Sequence, residues 1–204
     1  MIDETTIERE LRAAATRDAA RPLPDLGDVA ATAGLLDVAY ATLDSPLGTL
    51  LLARTDRGLV RLAYVDYEGE ADVIAELASR ISPRVLAVPR RLDEVRRELD
   101  QYFTGSRHEF DVPIDWQLTH GFGRRVLRAT AQIPYGAVSS YKLVAAAAGS
   151  PRGFRAAGNA LGANPIPIVV PCHRVLHSGG GLGGYTGGLE RKQLLLDVEH
   201  GVRP

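Results

Sequence analysis

The chain has one cysteine, one methionine and one tryptophan among 204 residues. A single thiol excludes an internal disulfide and makes a reducing cytoplasm the expected location. No apolar run approaches the roughly 20 residues of a membrane span, so no membrane partner is expected. The N-terminal stretch MIDETTIERELRAAATRDAARP lacks an apolar core, and no secretory signal is read there. With no second cysteine, Cys172, His173 and His177 match no usual zinc spacing, and neither metal nor cofactor is expected. Net charge is also nearly missing, at −1.

That balance hides an asymmetry. From Thr119 onward ten Lys and Arg stand against three Asp and Glu, a surplus of +7. A basic half on an acidic half fits a polyanionic partner, although drift of surface charge along a chain gives the same count.

Residues 5–19 have helix-forming composition, with Thr5 or Thr6 as a cap, and 20–34 (ARPLPDLGDVAATAG) reads as a linker. The period then changes to two. Strands are predicted over 37–43, 49–55 and 59–66, joined by turns at Ser45-Pro46-Leu47-Gly48 and Asp56-Arg57-Gly58. Amphipathic helices follow over 70–81 and 92–103, then one more strand over 110–114. Beyond that the pattern is mostly helical. A helix over 122–133 precedes a short one capped by Ser139 or Ser140, then another over 151–161 with Ser150 as cap and Pro151 at its first position. The last two make a helix-turn-helix candidate, a pattern also common in proteins that never touch DNA. In the second of them Gly153, Ala156, Ala157 and Gly158 are small beside the long Arg155. Such a face suits close approach of another surface, or close packing on its own domain.

Prolines at 165, 167 and 171 stiffen the run into PIVVPCHRV, which carries Cys172. Only a thiolate is a good nucleophile, and a neighbouring base or positive charge increases its share. His173 and Arg174 are adjacent, and Glu199 lies on the final helix, 189–199. A Glu–His–Cys chain would follow the logic of an activated nucleophile. A lone cysteine in an apolar run is also a common core residue. Between Cys172 and that helix, HSGGGLGGYTGG suits a loop or hairpin wing that brings backbone N–H groups near a ligand.

The run IPYG, SYKLVA, NPIPIVVPCHRV and GGYTGGLERKQLLLDVE resembles the O6-alkylguanine-DNA alkyltransferases. The likeness is clean from Phe122 to Glu199 and looser back to Leu36. It implies an α+β fold: an N-terminal extension (1–35), a small β-sheet domain with helices (36–117), and a mostly helical domain with a helix-turn-helix and glycine-rich wing (118–204). It also implies a single-turnover repair enzyme. Such an enzyme binds duplex DNA in the minor groove, flips O6-alkylguanine out, and keeps the alkyl group on its own cysteine. By position, Cys172 is the acceptor, His173 the base through a bound water, and Glu199 the residue that orients it. Asn164 holds the turn. Tyr141 meets guanine N3 and the swinging phosphate. Arg155 fills the gap in the stack, with Ala156 and Gly158 on the same close-approach face. The carbonyls of Cys172 and Val175 accept from the guanine amino group. Thr186 sits near O6, and Tyr185 and Lys192 support its loop. The implied partner is double-stranded DNA bearing O6-alkylguanine, with O4-alkylthymine and cooperative assembly of monomers on DNA left open.

Three features depart from the family pattern. Thr186 stands where serine is usual, Gly123 and Leu127 where glutamine and tryptophan are usual, and the N-terminal zinc site of some relatives has no cysteines here. The alternatives are a non-catalytic protein that binds alkyl damage, against which Cys172 argues, and a cysteine hydrolase, for which the sequence has no familiar signature.

Overall fold

The alternating runs pair as a meander. In the computed structural model, which describes residues 26–202, the strands are β1 (Val38–Ser45), β2 (Gly48–Thr55) and β3 (Gly58–Tyr64). β2 is antiparallel to both neighbours, with Leu52 opposite Ala41 and Leu62. A fourth strand, β4 (Val85–Ala87), joins β1 in parallel, giving the order β3-β2-β1-β4. Three residues are too few to show a period, so β4 left no mark in the sequence. The strand expected over 110–114 is corrected to an irregular segment that makes one bridge, Leu59 to Ile114. The Glu98 carboxylate takes the Asp111 and Val112 N–H groups at 3.0 and 3.4 Å, so two of the segment's donors go to a side chain.

Period-two burial puts the two faces of the sheet in different cores. Leu51, Ala53, Val60 and Ala63 pack with Val73 and Leu77 of α3 (Glu70–Arg80), which follows the short α2 (Val65–Glu68). Leu50, Leu52, Leu62 and Tyr64 pack with Leu99 and Tyr102 of α4 (Asp93–Phe103). This second cluster continues through Val126, Val144 and Ala157 to Val170 and Cys172, so the sheet and the later helices share one core.

β3 is buried along its whole length although it ends the sheet. Its outer edge is covered by other chain. Leu59 N donates to Pro113 O and Leu62 N to Pro165 O, both at 2.8 Å. A Cβ on Gly58 would collide with the Pro113 carbonyl, which fixes glycine there. An open edge invites pairing with another molecule, and this one is closed.

The later half follows as α5 (Gly121–Thr130), β5 (Ser139–Ser140), α6 (Tyr141–Ala147), α7 (Phe154–Gly162), β6 (Val175–Leu176) and α8 (Leu189–Glu199). β5 and β6 pair in parallel. Ser140 caps α6 as expected, accepting from Leu143 N at 3.3 Å. Helix α7 starts three residues later than Pro151 suggested. Gly153 N bonds Ser150 O at 2.8 Å, so 150–153 forms a turn and Gly153 becomes the cap. The glycine-rich segment between β6 and α8 is a loop without strands. The architecture is α+β.

Residues 26–35 belong to a different unit from residues 36–202. The helix expected over 5–19 lies outside the described residues. Part of the expected linker is helical, α1 (Leu26–Thr32): both prolines precede it, Gly34 follows it, and Gly27 is tolerated in its first turn. Gly34, at φ 69°, ends it, with Leu35 N returning to Ala30 O at 2.7 Å.

Candidate active site

Residues 164–172 form a tight, buried loop. Asn164 Oδ1 accepts from Ile166 N at 3.0 Å, and its Nδ2 donates to Val170 O at 2.8 Å and to Cys172 Sγ at 3.2 Å. Val170 N returns to Ile166 O at 2.9 Å, and Cys172 N to Val170 O at 2.8 Å. Within the loop Ile168 has φ 72°, a left-handed conformation that costs a β-branched residue about 1–3 kcal/mol. It persists because the loop is gripped from outside. Arg61 Nη1 of β3 donates to Pro165 O at 3.3 Å, beside the Leu62 bond to the same carbonyl. Arg61 itself is buried between Glu68 and Glu76.

Cys172–Arg174 is one 3₁₀ turn, not a strand. Successive side chains diverge by about a third of a turn, so neighbours face different places without alternating. Cys172 lines a cavity, while His173 is fully buried in the protein.

Behind the cysteine, Glu199 of α8 collects donors. Its Oε1 lies 2.7 Å from His173 Nε2 and accepts from Tyr102 Oη at 2.7 Å. Arg174 Nε reaches both oxygens at 3.0 and 2.9 Å, Arg174 Nη2 reaches Oε1 at 2.8 Å, and Gly136 N reaches Oε2 at 3.0 Å. Burial alone would raise the Glu199 carboxyl, but hydrogen bonds and charge from His173 and Arg174 win and hold it at about 2. Burial keeps His173 below its ordinary range, against the pull of Glu199, so the imidazole is neutral. An ionised carboxylate only accepts; Nε2 therefore carries the ring proton and Nδ1 keeps its lone pair. Nδ1 is the one buried side-chain nitrogen or oxygen, among the described residues, without a protein hydrogen-bond partner. A basic lone pair is thus available in the core on the residue next to Cys172.

The thiol is not primed in advance. Burial pushes Cys172 above its ordinary value, and the Asn164 bond and the nearby Lys192 charge only partly oppose this. Lys192 is itself buried, pushed down to about 8 by desolvation against the pull of the Cys172 charge. Its Nζ donates to Val175 O at 2.7 Å and to Leu182 O, tying β6 to the glycine-rich loop.

The cavity holds about 800 Å³ and is mostly apolar. Tyr141, Arg155, Gly158, Cys172, Tyr185 and Thr186 all line it. Tyr141 leans on the loop; burial raises its hydroxyl above the usual phenol range, against a hydrogen bond from the Gly184 backbone. Thr186 Oγ1 donates to Gly162 O at 2.7 Å, so its hydroxyl proton is held by α7. Tyr185 Oη lies 2.8 Å from Tyr64 Oη of β3. A Cβ on Gly187 would strike the Tyr64 ring. Val175 is buried on β6, and Ala156 is exposed on α7 beside Arg155. Ala157 is fully buried, so the small face expected on α7 is split, with one alanine turned to the core.

The basic surplus also divides. Arg174 and Lys192 are buried, and Arg191 is engaged with Leu47 O, Gly187 O and Asp66. Lys142, Arg152 and Arg155 are exposed around the helix-turn-helix. Sequence reasoning missed Tyr102, Arg174 as the clamp on Glu199, Tyr64, and the aromatic rim of Tyr67 and Phe154. Arg174 could have been suspected from its place beside His173. Phe154 adjoins Arg155 and could have been suspected likewise, whereas Tyr64, Tyr67 and Tyr102 come from distant chain and carried no local signal.

Residues 121–201 match the family model described as 6-O-methylguanine DNA methyltransferase, DNA binding domain, and residues 38–116 that of the ribonuclease-like domain of the same protein. The methylated-DNA–protein-cysteine methyltransferase of Mycolicibacterium paratuberculosis is 42% identical over 167 residues, covering 82% of this chain and 95% of that one. Its namesake in Methanosarcina barkeri is 36% identical, covering 78% and 96%. Mycobacterium tuberculosis OGT, solved in complex with DNA, is 38% identical with a TM-score of 0.69, covering 81% of this chain and 95% of that one. The matches run across both halves and include the buried Cys172 loop and the His173–Glu199 pair: the chain belongs to the 6-O-methylguanine DNA methyltransferase family.

Proposed function

We propose that the protein repairs DNA by direct reversal, moving the alkyl group of O6-alkylguanine to Cys172 once per molecule. The observation that carries this reading is the placement of Cys172. It lines a cavity roomy enough for a purine beside the helix-turn-helix, with Asn164 on its sulfur and the His173–Glu199 pair behind it.

Helices α6 and α7 dock the duplex through its minor groove, about 6 Å wide, where Ala156 and Gly158 permit close approach. Lys142, Arg152 and Arg155 meet phosphates. Unstacking a base costs a few kcal/mol, and Arg155 offsets part of it by filling the gap. In the cavity the lesion lies between Tyr141, which contacts guanine N3 and the turning phosphate, and the loop of Tyr185 and Thr186. The carbonyls of Cys172 and Val175 accept from the guanine amino group. Lys192 fixes the Val175 carbonyl from the other side.

The thiol proton passes through a water to His173 Nδ1, and Glu199 stabilises the imidazolium. Sulfur attacks the alkyl carbon in line. The S–C bond forms, the C–O6 bond breaks, and its electron pair leaves with guanine, which takes a proton from Tyr141. Tyr141 and His173 then exchange protons with solvent. A thioether is not readily cleaved, so the molecule is spent. Because burial keeps the resting cysteine protonated, the reaction waits for a bound lesion. The protein acts in the cytoplasm as a monomer, in two domains, 36–117 and 118–204, that share a core. Assembly on DNA is read from the steepness of a binding isotherm.

The test is the intact mass after incubation with an O6-methylguanine duplex. One added methylene is expected, never two, and none on Cys172→Ala. No gain in the native chain, or a gain that persists in Cys172→Ala, overturns the proposal. A parallel O4-methylthymine duplex reads whether that lesion is also accepted.

A further inference from the structure

Tyr102 has no part in the reaction above, yet it touches its base apparatus. It sits on α4, in the N-terminal half, and is fully buried. Its hydroxyl donates to Glu199 Oε1 at 2.7 Å, the oxygen that also receives His173 Nε2 at 2.7 Å. It lies 3.5 Å from His173 Nε2 itself. Phe103, Phe110 and Tyr135 pack around its ring at 5.4–6.0 Å, which fixes where the hydroxyl points.

We infer that Tyr102 is a positioning residue that sets the basicity of His173 by sharing the charge of Glu199 Oε1. The inference rests on the proposed role of His173 as base. A carboxylate oxygen has limited electron density to give. Each donor on Oε1 weakens its hold on the imidazole N–H, and a weaker hold lowers the proton affinity of the ring. The other groups facing the pair are fixed by separate bonds. Arg174 spans both carboxylate oxygens and donates to Ile133 O at 2.5 Å. Gly136 N takes Oε2, Tyr135 Oη donates to Val198 O at 3.1 Å, and Lys192 is tied to Val175 and Leu182. Tyr102 is thus the neutral side-chain donor on the oxygen that His173 uses. Its phenol is held above the ordinary range by burial first and by the adjacent Glu199 charge second, so it stays a donor.

The consequence has a sign. Without the Tyr102 hydroxyl, Oε1 binds the imidazole N–H more strongly, and His173 protonates at higher pH. A protonated ring has no lone pair at Nδ1, so the acid limb of the alkyl-transfer rate moves upward. Loss of packing alone would lower stability and rate without moving that limb.

The test uses the full chain with ¹⁵N-labelled histidine. In the native protein the spectrum should show His173 neutral and protonated at Nε2. Tyr102→Phe should raise its titration midpoint by about half to one unit, and the acid limb of the rate by the same amount. Tyr135→Phe, which removes a nearby hydroxyl bonded to backbone, should move neither. If Tyr102→Phe does not fold, 3-fluorotyrosine at position 102 keeps the shape and makes a stronger donor; the midpoint should then fall. A midpoint unmoved by either change, or moved the opposite way, overturns the inference. The spectrum needs no substrate, so it stands apart from the mass assay: a native chain that gains no alkyl group sinks the proposed function and leaves this measurement intact.

Discussion

Asn164 Nδ2 stands 3.2 Å from Cys172 Sγ, and the opposite end of the same amide, Oδ1, holds Ile166 N at 3.0 Å. One side chain thus shapes the loop and steadies the sulfur. The two duties are separable. Asn164→Asp keeps the acceptor for Ile166 but presents an oxygen to sulfur, which raises the thiol further. It should slow alkyl transfer at least tenfold, about 1.4 kcal/mol, with a smaller loss of stability. Asn164→Ala should cost about 1–3 kcal/mol in denaturant unfolding as well, because the buried Ile166 N–H loses its acceptor and the Val170 carbonyl loses a donor. Equal stability losses in the two variants would contradict this division.

Glu199 links stability to acid. Its folded value, about 2, lies below the ordinary 4.5, so the native state holds fewer protons than the unfolded chain between those values. The stabilisation is complete above pH 4.5 and is lost as pH falls toward 2. His173, neutral and buried, adds a decline that begins near its ordinary 6.5. Glu199→Gln should cost about 3 kcal/mol at neutral pH by leaving Arg174 buried and unpaired. It should also flatten the 4.5-to-2 part of the curve relative to the native chain; urea melts across that range check both.

The sole cysteine makes its own reactivity readable. Burial raises Cys172 above its ordinary 9.0, so carbamidomethylation by iodoacetamide should be slow at neutral pH and should keep climbing past pH 9. Cys172→Ala should show no thiol labelling. A rate that levels off below pH 8 would mean the resting thiol is already activated.

Arg155 is exposed on α7 at the mouth of the cavity, with its guanidinium 5.8 Å from the Phe154 ring centre. If it fills the gap left by a flipped base, it matters only when there is a stack to fill. Arg155→Ala should slow repair of an O6-methylguanine duplex at least tenfold and leave the reaction with free O6-benzylguanine within about twofold. Equal slowing of both substrates would place Arg155 in the chemistry or the fold.

Much of this site could be read along the chain because it is built from neighbours. Asn164, Cys172 and His173 lie within ten residues, and the prolines between them announced a stiff loop. Glu199 was reachable because 189–199 is helical from end to end. Tyr102 was not, since it meets Glu199 across 97 positions and looks locally like one more apolar residue of an amphipathic helix. The same limit hid β4, whose pairing with β1 exists only in three dimensions. At α7 the local signal misled: Ser150 and Pro151 make a good helix start, but the turn closed by Gly153 N took them first. The charge count pointed to a polyanion without saying which residues would meet it, because composition does not distinguish Arg174, buried on a glutamate, from Arg152, open to solvent.

The grip of β3 on Pro165 ties two fates together. The loop that carries Cys172 also covers part of the sheet's last strand, at Leu62, while the Pro113 segment covers it at Leu59. A molecule whose loop is pushed from its seat does more than lose its geometry; it uncovers backbone groups that can template association with another chain. Displacement of the Cys172 loop and exposure of the sheet edge at Leu62 are therefore one structural event.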